Sequence, residues 1–375
     1  MAVGGAPTRR AVQGGGGSVK ERLARVHMPR STLWRVVLGL LALAGVAAFF
    51  WWRGPTFRGI GDAFASVEWK WVVVAIALNL LSVVVRALAW ATVIRQAMPP
   101  PHPRVTLVFS AFSVGLFANA LLPGRIGELA RVAVLTRKLP GRKGAWAALV
   151  GTVFAHRVFD IVPVLLLVLF VIVTANIPHP ALASLLAVLA IGTAMFGFAL
   201  VAARRQHRLS IEGLGPIRRL VTLGRAGLSV MRSPLAAALA IFLQICGWVC
   251  QLLAVFTAMR AFDIHASLPA AGVVLLLMNV VTIFPFWPGN IGLVQVAIAS
   301  ALVGYGVAYS RGVAYGFGLQ AIEASVGIGV GLLFLAREGL SVAMLRVMPS
   351  AAEAEMPEDD DEDEAELAER AGVSG

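Results

Sequence analysis

Of 375 residues, 58% are hydrophobic and only 14% are charged, and the mean hydropathy is +0.81, whereas a soluble domain carries about a quarter of its residues as charges. Apolar runs near or above the ~18 to 20 residues that cross a ~30 Å hydrocarbon core recur from Leu33 to Ala336, which excludes a soluble enzyme and a single-anchor protein. The net charge of +12 combines a body of about +22 with a tail after residue 350 of about −10. Basic residues of this kind first report membrane topology, and with no extramembrane domain to hold a base-stacking module, no nucleic-acid partner is expected.

Residues 1–32 are basic, Gly-rich and poor in apolar side chains, and read as a disordered cytoplasmic tail. The first apolar run, Leu33 to Trp52, ends in Phe-Phe-Trp-Trp and is followed by no small-residue cleavage site, so it is expected to be a retained helix with an aromatic interface belt. Further apolar runs cover about 69–94, 105–122, 145–174, 180–203, 234–259, 268–286, 290–309 and 312–336. Were the run ending at Leu122 a full crossing, the basic loops at Arg137–Lys143 and Arg204–Arg232 would lie outside the cell. If residues 105–128 instead enter from the cytoplasm and return, about 25 of the 32 Lys and Arg are cytoplasmic. The expected fold is therefore an all-α polytopic membrane protein with about six full spans and two re-entrant or broken helical hairpins. Both termini are placed in the cytoplasm of a bacterial-type plasma membrane. Residues 33–345 form the membrane body, and 346–375, with its Glu-Asp-Asp-Asp-Glu-Asp-Glu core, a disordered acidic cytoplasmic tail. Cys246 and Cys250 share one helix face in lipid and read as packing residues.

Two segments carry one pattern, Pro123-Gly124-Arg125-Ile126-Gly127 and Pro288-Gly289-Asn290-Ile291-Gly292. Each follows an apolar run containing Asn, Asn119 or Asn279, and each precedes a further polar residue, Glu128 or Gln295. Pro and Gly at membrane depth break a helix and free backbone groups, which is tolerated only where protein or a water-filled cavity satisfies them. With the charge-derived topology, the second half (about 234–336) is the first (about 69–174) turned over, and interrupted helices at matching positions of inverted repeats point to a transport site near the midplane.

The same residues carry a resemblance. LLPGRIGELAR at Leu121–Arg131, HRVFD at His156–Asp160 and FPFWPGNIGLVQ at Phe284–Gln295 resemble the signatures of the flippase-like family related to the transmembrane region of lysylphosphatidylglycerol synthases. That resemblance implies a protein that moves lipid-linked head groups between leaflets. It implies roles for Pro123, Gly124, Arg125, Gly127, Glu128 and Arg131 in the first motif, Arg157 and Asp160 in the second, and Pro288, Gly289 and Gly292 in the third. Asn290 stands where the family more often has Gly, and Gln295 where many members carry Glu, which implies a different head group or coupling.

Buried charge supplies independent grounds. A charge at the bilayer centre costs roughly 2.5–3.5 kcal/mol, so Arg86, Arg125, Glu128, Arg157, Asp160 and Glu323 are expected to pair or to line a pathway. Arg157 and Asp160, three apart on a helix, can pair. Arg125 offers a planar phosphate fork, Arg86 either joins the site or snorkels, and His156 is either a proton relay or a packing residue. Glu128 and Gln295 are expected to approach across one cavity walled by Arg157, Asp160 and Glu323, with Gln320 one turn from Glu323. No GxxxxGK[ST] sequence occurs, so neither ATP hydrolysis nor any cofactor is expected. The leading expectation is a flippase-like transporter for an anionic, phosphate-bearing lipid. The alternatives are a membrane-embedded transferase acting on a lipid carrier, although the tail is too short and acidic to be a synthase domain, and a non-transporting scaffold for envelope-biosynthesis enzymes.

Overall fold

A computed structural model of the chain describes residues 44, 57–121, 126–139, 145–175, 179–204, 233–282 and 290–337. Residues 1–51 and 52–375 are separate compact units, and the helices from Phe57 onward belong to the second. The expected tails, the run 33–52 apart from its residue 44, and nearly all of the loop Arg204–Arg232 lie outside the described residues.

Among the described residues the regular structure is helical, with no strand. In chain order the helices are α1 Phe57–Ala65, α2 Trp69–Ala97, α3 Val105–Leu121, α4 Gly127–Arg137, α5 Ala145–Thr174, α6 His179–Arg204, α7 Pro234–Ala261, α8 Leu268–Val281, α9 Leu293–Val303 and α10 Tyr309–Arg337. A helix satisfies its own backbone, the only open-ended solution in hydrocarbon. Even Pro163 inside α5 is accommodated without ending the helix. Helix α2, α5 from Ala148, α7 and α10 are each long and apolar enough to cross a membrane, and at most 39% of each apolar stretch is buried within the protein. Their outer faces carry side chains such as Val173, Leu235 and Leu333, all more than half exposed, a surface suited to lipid and not to water.

The most extensive helix contact joins α2 and α7. The Glu68 amide before α2 donates to Ala261 O at the end of α7 (2.9 Å), while at mid-helix the Ser82 hydroxyl donates to Gly247 O (2.8 Å), so the two run antiparallel. Their backbones approach because position 247 is Gly: a Cβ there would stand 2.7 Å from Arg86 Cγ. Ser82 and Gly247 are 165 residues apart, and helices α7 to α10 begin within two residues of where α2 to α5 would fall if moved that far along the chain.

The packing repeats likewise. Helix α3 pairs with α4 as α8 does with α9, and α3 lies along α10 as α8 lies along α5. The first of these cross-contacts includes an edge-to-face pair of Phe109 and Phe334, with centroids 5.3 Å apart, and Gly331 set against Phe117; the second sets Gly272 against Val171. Helices α4 and α9 have 11 residues each, about 16 Å of helix, too short to cross a bilayer. Among the described residues three apolar cores result, one around Trp90, Phe112 and Leu135, a second around Met259, Leu275 and Tyr315, and a smaller third around Val93, Phe159 and Ala240.

Candidate functional site

Helix α4 begins beside α3. The Gly127 amide donates to Asn119 Oδ1 (2.8 Å), and Gly127 and Gly115 touch so closely that a Cβ at 127 would overlap the Gly115 carbonyl oxygen. This contact presents Glu128 and Arg131, one turn apart on α4, towards α5 and α2. Arg131 is buried (4% exposed), its guanidinium carbon 4.5 Å from the Trp90 ring centroid and 5.3 Å from that of Phe112. Aromatic faces are among the few uncharged surfaces that favour a buried guanidinium. Glu128 makes ion pairs with Arg131 and with Arg157 of α5.

Arg157 also reaches Asp160 one turn along α5, Nη1 to Oδ2, at 3.2 Å. Asp160 Oδ1 accepts from Arg86 Nη2 (3.2 Å), Gln244 Nε2 (2.8 Å) and Trp248 Nε1 (3.1 Å), so α5, α2 and α7 meet on one carboxylate. Arg86 turns inward: its guanidinium lies 5.1 Å from the Trp248 centroid, and Nη1 donates to Gln251 Oε1 at 3.4 Å. Glu323 of α10, half-buried, lies within hydrogen-bonding reach of that same Gln251. His156 is buried, with Nε2 3.3 Å from Arg86 O and Nδ1 4.0 Å from Asp160 Oδ2.

These groups line a partly open cavity of about 60 Å³. Arg86, Asn119, Gly127, Glu128, Arg131, Arg157 and Asp160 line it, together with Phe112, Gly115, Leu116 and His156. The space is large enough for ordered water among these polar groups.

The second Pro-Gly segment leads into a different cluster. The Gly292 amide donates to Gln295 Oε1 (2.6 Å), and Gln295 Nε2 donates to Gln320 Oε1 (2.7 Å). Gly292 has φ +95° and Asn290 φ +46°. Asn is the non-glycine side chain best suited to that left-handed region, and Asn290 Nδ2 donates to Val281 O at 2.7 Å. Asn279 donates back to Leu275 O in its own helix. Gln295, fully buried, therefore does not line the cavity of Glu128, contrary to the expected approach of the two. Pro123, Gly124, Arg125, Pro288 and Gly289 lie outside the described residues. Cys246 and Cys250 are free thiols, half-buried on α7.

A sequence model of the lysylphosphatidylglycerol synthase TM region matches residues 36–345. The chain belongs to that family. A UPF0104 membrane protein of Methanothermobacter thermautotrophicus is 26% identical over 288 residues, 71% of this chain and 82% of the relative. Another, from Pyrococcus horikoshii, is 24% identical over 145 residues, 39% of this chain and 42% of the relative. No solved structure matches the chain significantly. Gln244, Trp248 and Gln251 of α7, not among the residues expected from the sequence, join the candidate site through Asp160 and Arg86. They share one face of a mostly apolar helix at spacings of four and three, but which element that face meets is set by packing.

Proposed function

We propose that this protein moves a lipid, or a lipid-linked head group, bearing a phosphate anion between membrane leaflets, without ATP hydrolysis in this chain. The observation that carries the proposal is the constellation of Arg86, Arg131 and Arg157 with Glu128 and Asp160 around one cavity, where α2, α4 and α5 converge. Charges in a membrane body are expensive and mark substrate pathways, and guanidinium groups bind phosphate by paired, charge-assisted hydrogen bonds.

The proposal includes two inverted repeats, each with a re-entrant hairpin, α3–α4 and α8–α9. It is supported by the antiparallel pairing of α2 with α7, by the contact of Ser82 with Gly247 at an offset of 165, and by the exchange of packing partners between the halves. Antiparallel helices related by a two-fold axis meet at equivalent residues only where the axis passes. Motion of one half against the other then exposes the site to each leaflet in turn. In the cell, the positive-inside bias sets both termini and the basic loops in the cytoplasm of the plasma membrane.

The test is leaflet exchange of fluorescent phosphatidylglycerol in vesicles containing the purified chain, read by a membrane-impermeant quencher, with and without a proton gradient or membrane potential. Exchange above that of protein-free vesicles, lost in Arg131→Ala, is expected. Exchange equal to protein-free vesicles under every gradient overturns the proposal.

A further inference from the structure

We propose that the Glu128 carboxylate is a built-in competitor for the ligand: it holds, between Arg131 and Arg157, the place of a singly charged lipid phosphodiester, which enters by displacing it. This rests on the transport reading above and adds what holds the site closed.

The two carboxylates of the site are held in different ways. Asp160 accepts from two uncharged donors, Gln244 and Trp248, besides its arginines, and only 10% of its side chain is exposed. Moving it would orphan buried donors on α7, each at a desolvation cost. Glu128 has guanidinium partners alone among the described residues, is 24% exposed, and stands in the first turn of a short helix beside a Pro-Gly break. Of the two, Glu128 is the anion free to leave.

What it would leave behind is a pair of guanidinium groups suited to a phosphate monoanion. Arg131 is fixed between two aromatic rings, and its buried Nε has no hydrogen-bond partner among the described residues. A phosphodiester, like a carboxylate, carries two charged oxygens, but it sets them on a tetrahedral centre with two weaker ester oxygens beside them, so it can bridge Arg131 and Arg157 and still offer an acceptor to that Nε. Exchanging one monoanion for another leaves the charge of the cluster unchanged. The Glu128 oxygens already occupy the guanidinium groups of Arg131 and Arg157, so binding of a phosphate there and displacement of Glu128 are one event.

The experiment uses the full chain in discs of phosphatidylcholine, titrated calorimetrically with short-chain phosphatidylglycerol and, separately, with inorganic phosphate. Glu128→Gln removes the competing charge and is expected to bind phosphatidylglycerol about tenfold more tightly than the unmodified chain. Glu128→Asp, which keeps the charge but draws it back by one methylene, shows a smaller gain of the same sign. Arg131→Ala combined with Glu128→Gln abolishes the gain. A gain with the lipid alone identifies the lipid head group as the recognised form, and a gain with both probes identifies the phosphate itself; either supports competition. Equal or weaker binding in Glu128→Gln and Glu128→Asp overturns competition. In that case the transport reading stands if the unmodified chain binds phosphatidylglycerol through Arg131, and falls with it if no form of the protein binds either probe.

Discussion

Asp160 ties three helices together, and replacing it by Asn isolates what its charge contributes. The Asn carbonyl still accepts from Gln244 and Trp248, so the loss falls on the ion pairs. The Arg86–Asp160 pair, at 3.2 Å with side chains 19% and 10% exposed, is of the buried kind whose rupture costs about 3–5 kcal/mol because a charge is left uncompensated. Arg157 is 54% exposed, so its pairing is screened and adds at most about 1 kcal/mol. Asp160→Asn is therefore expected to lower unfolding stability by about 3 kcal/mol. The assay is equilibrium unfolding in mixed micelles with increasing dodecyl sulfate, followed by tryptophan fluorescence. Arg86→Gln in the same background should relieve part of the loss, with a coupling energy of about 2 kcal/mol. Additivity of the two substitutions within about 0.5 kcal/mol would refute the assignment of Arg86 and Asp160 as one buried pair.

Three other outcomes follow from named contacts. Gly127→Ala places a Cβ on the Gly115 carbonyl and 2.6 Å from Asn119 Cγ; backbone cannot rotate aside, so a loss of about 1–3 kcal/mol in the same unfolding assay is expected. Arg131→Lys keeps the charge but loses the planar stack on Trp90 and Phe112, and phosphatidylglycerol exchange should fall about tenfold. Lys138→Cys, at the exposed end of α4, is expected to react with an impermeant maleimide only when the cytoplasmic face is accessible; labelling of intact cells from outside would remove the re-entrant hairpin.

Much of the fold was legible because lipid imposes a simple requirement, a long apolar segment with its backbone satisfied in helix. The run read as 234–259 is helix Pro234–Ala261, and that read as 312–336 is Tyr309–Arg337. The charged part of the site was legible for the same reason, since an Arg or Asp at membrane depth is too costly to stand idle. Gln244, Trp248 and Gln251 were not, because neutral amides and indoles cost less and raise no compositional alarm. Knowing that their face meets Arg86 and Asp160 requires the packing of α7 on α2 and α5. Gln295 was misplaced because a local solution prevailed: a Gln three residues into a helix reaches back to the amide at its start, as Gln295 does to Gly292.

The two halves share a backbone device but not its charges. At an offset of 165, Gly127 corresponds to Gly292, and Arg86 to the Gln251 that it hydrogen-bonds. Glu128, Arg131, Arg157 and Asp160, by contrast, correspond to Leu293, Val296, Ile322 and Ser325. Each charge taken into a membrane body carries a desolvation cost that partners only partly offset, so a second copy of the cluster would double the cost without adding an anion site of different specificity. On the transport reading proposed above, the guanidinium groups that line the cavity, Arg86, Arg131 and Arg157, all come from the first half, so an anion held there would travel with that half as it moves against the other.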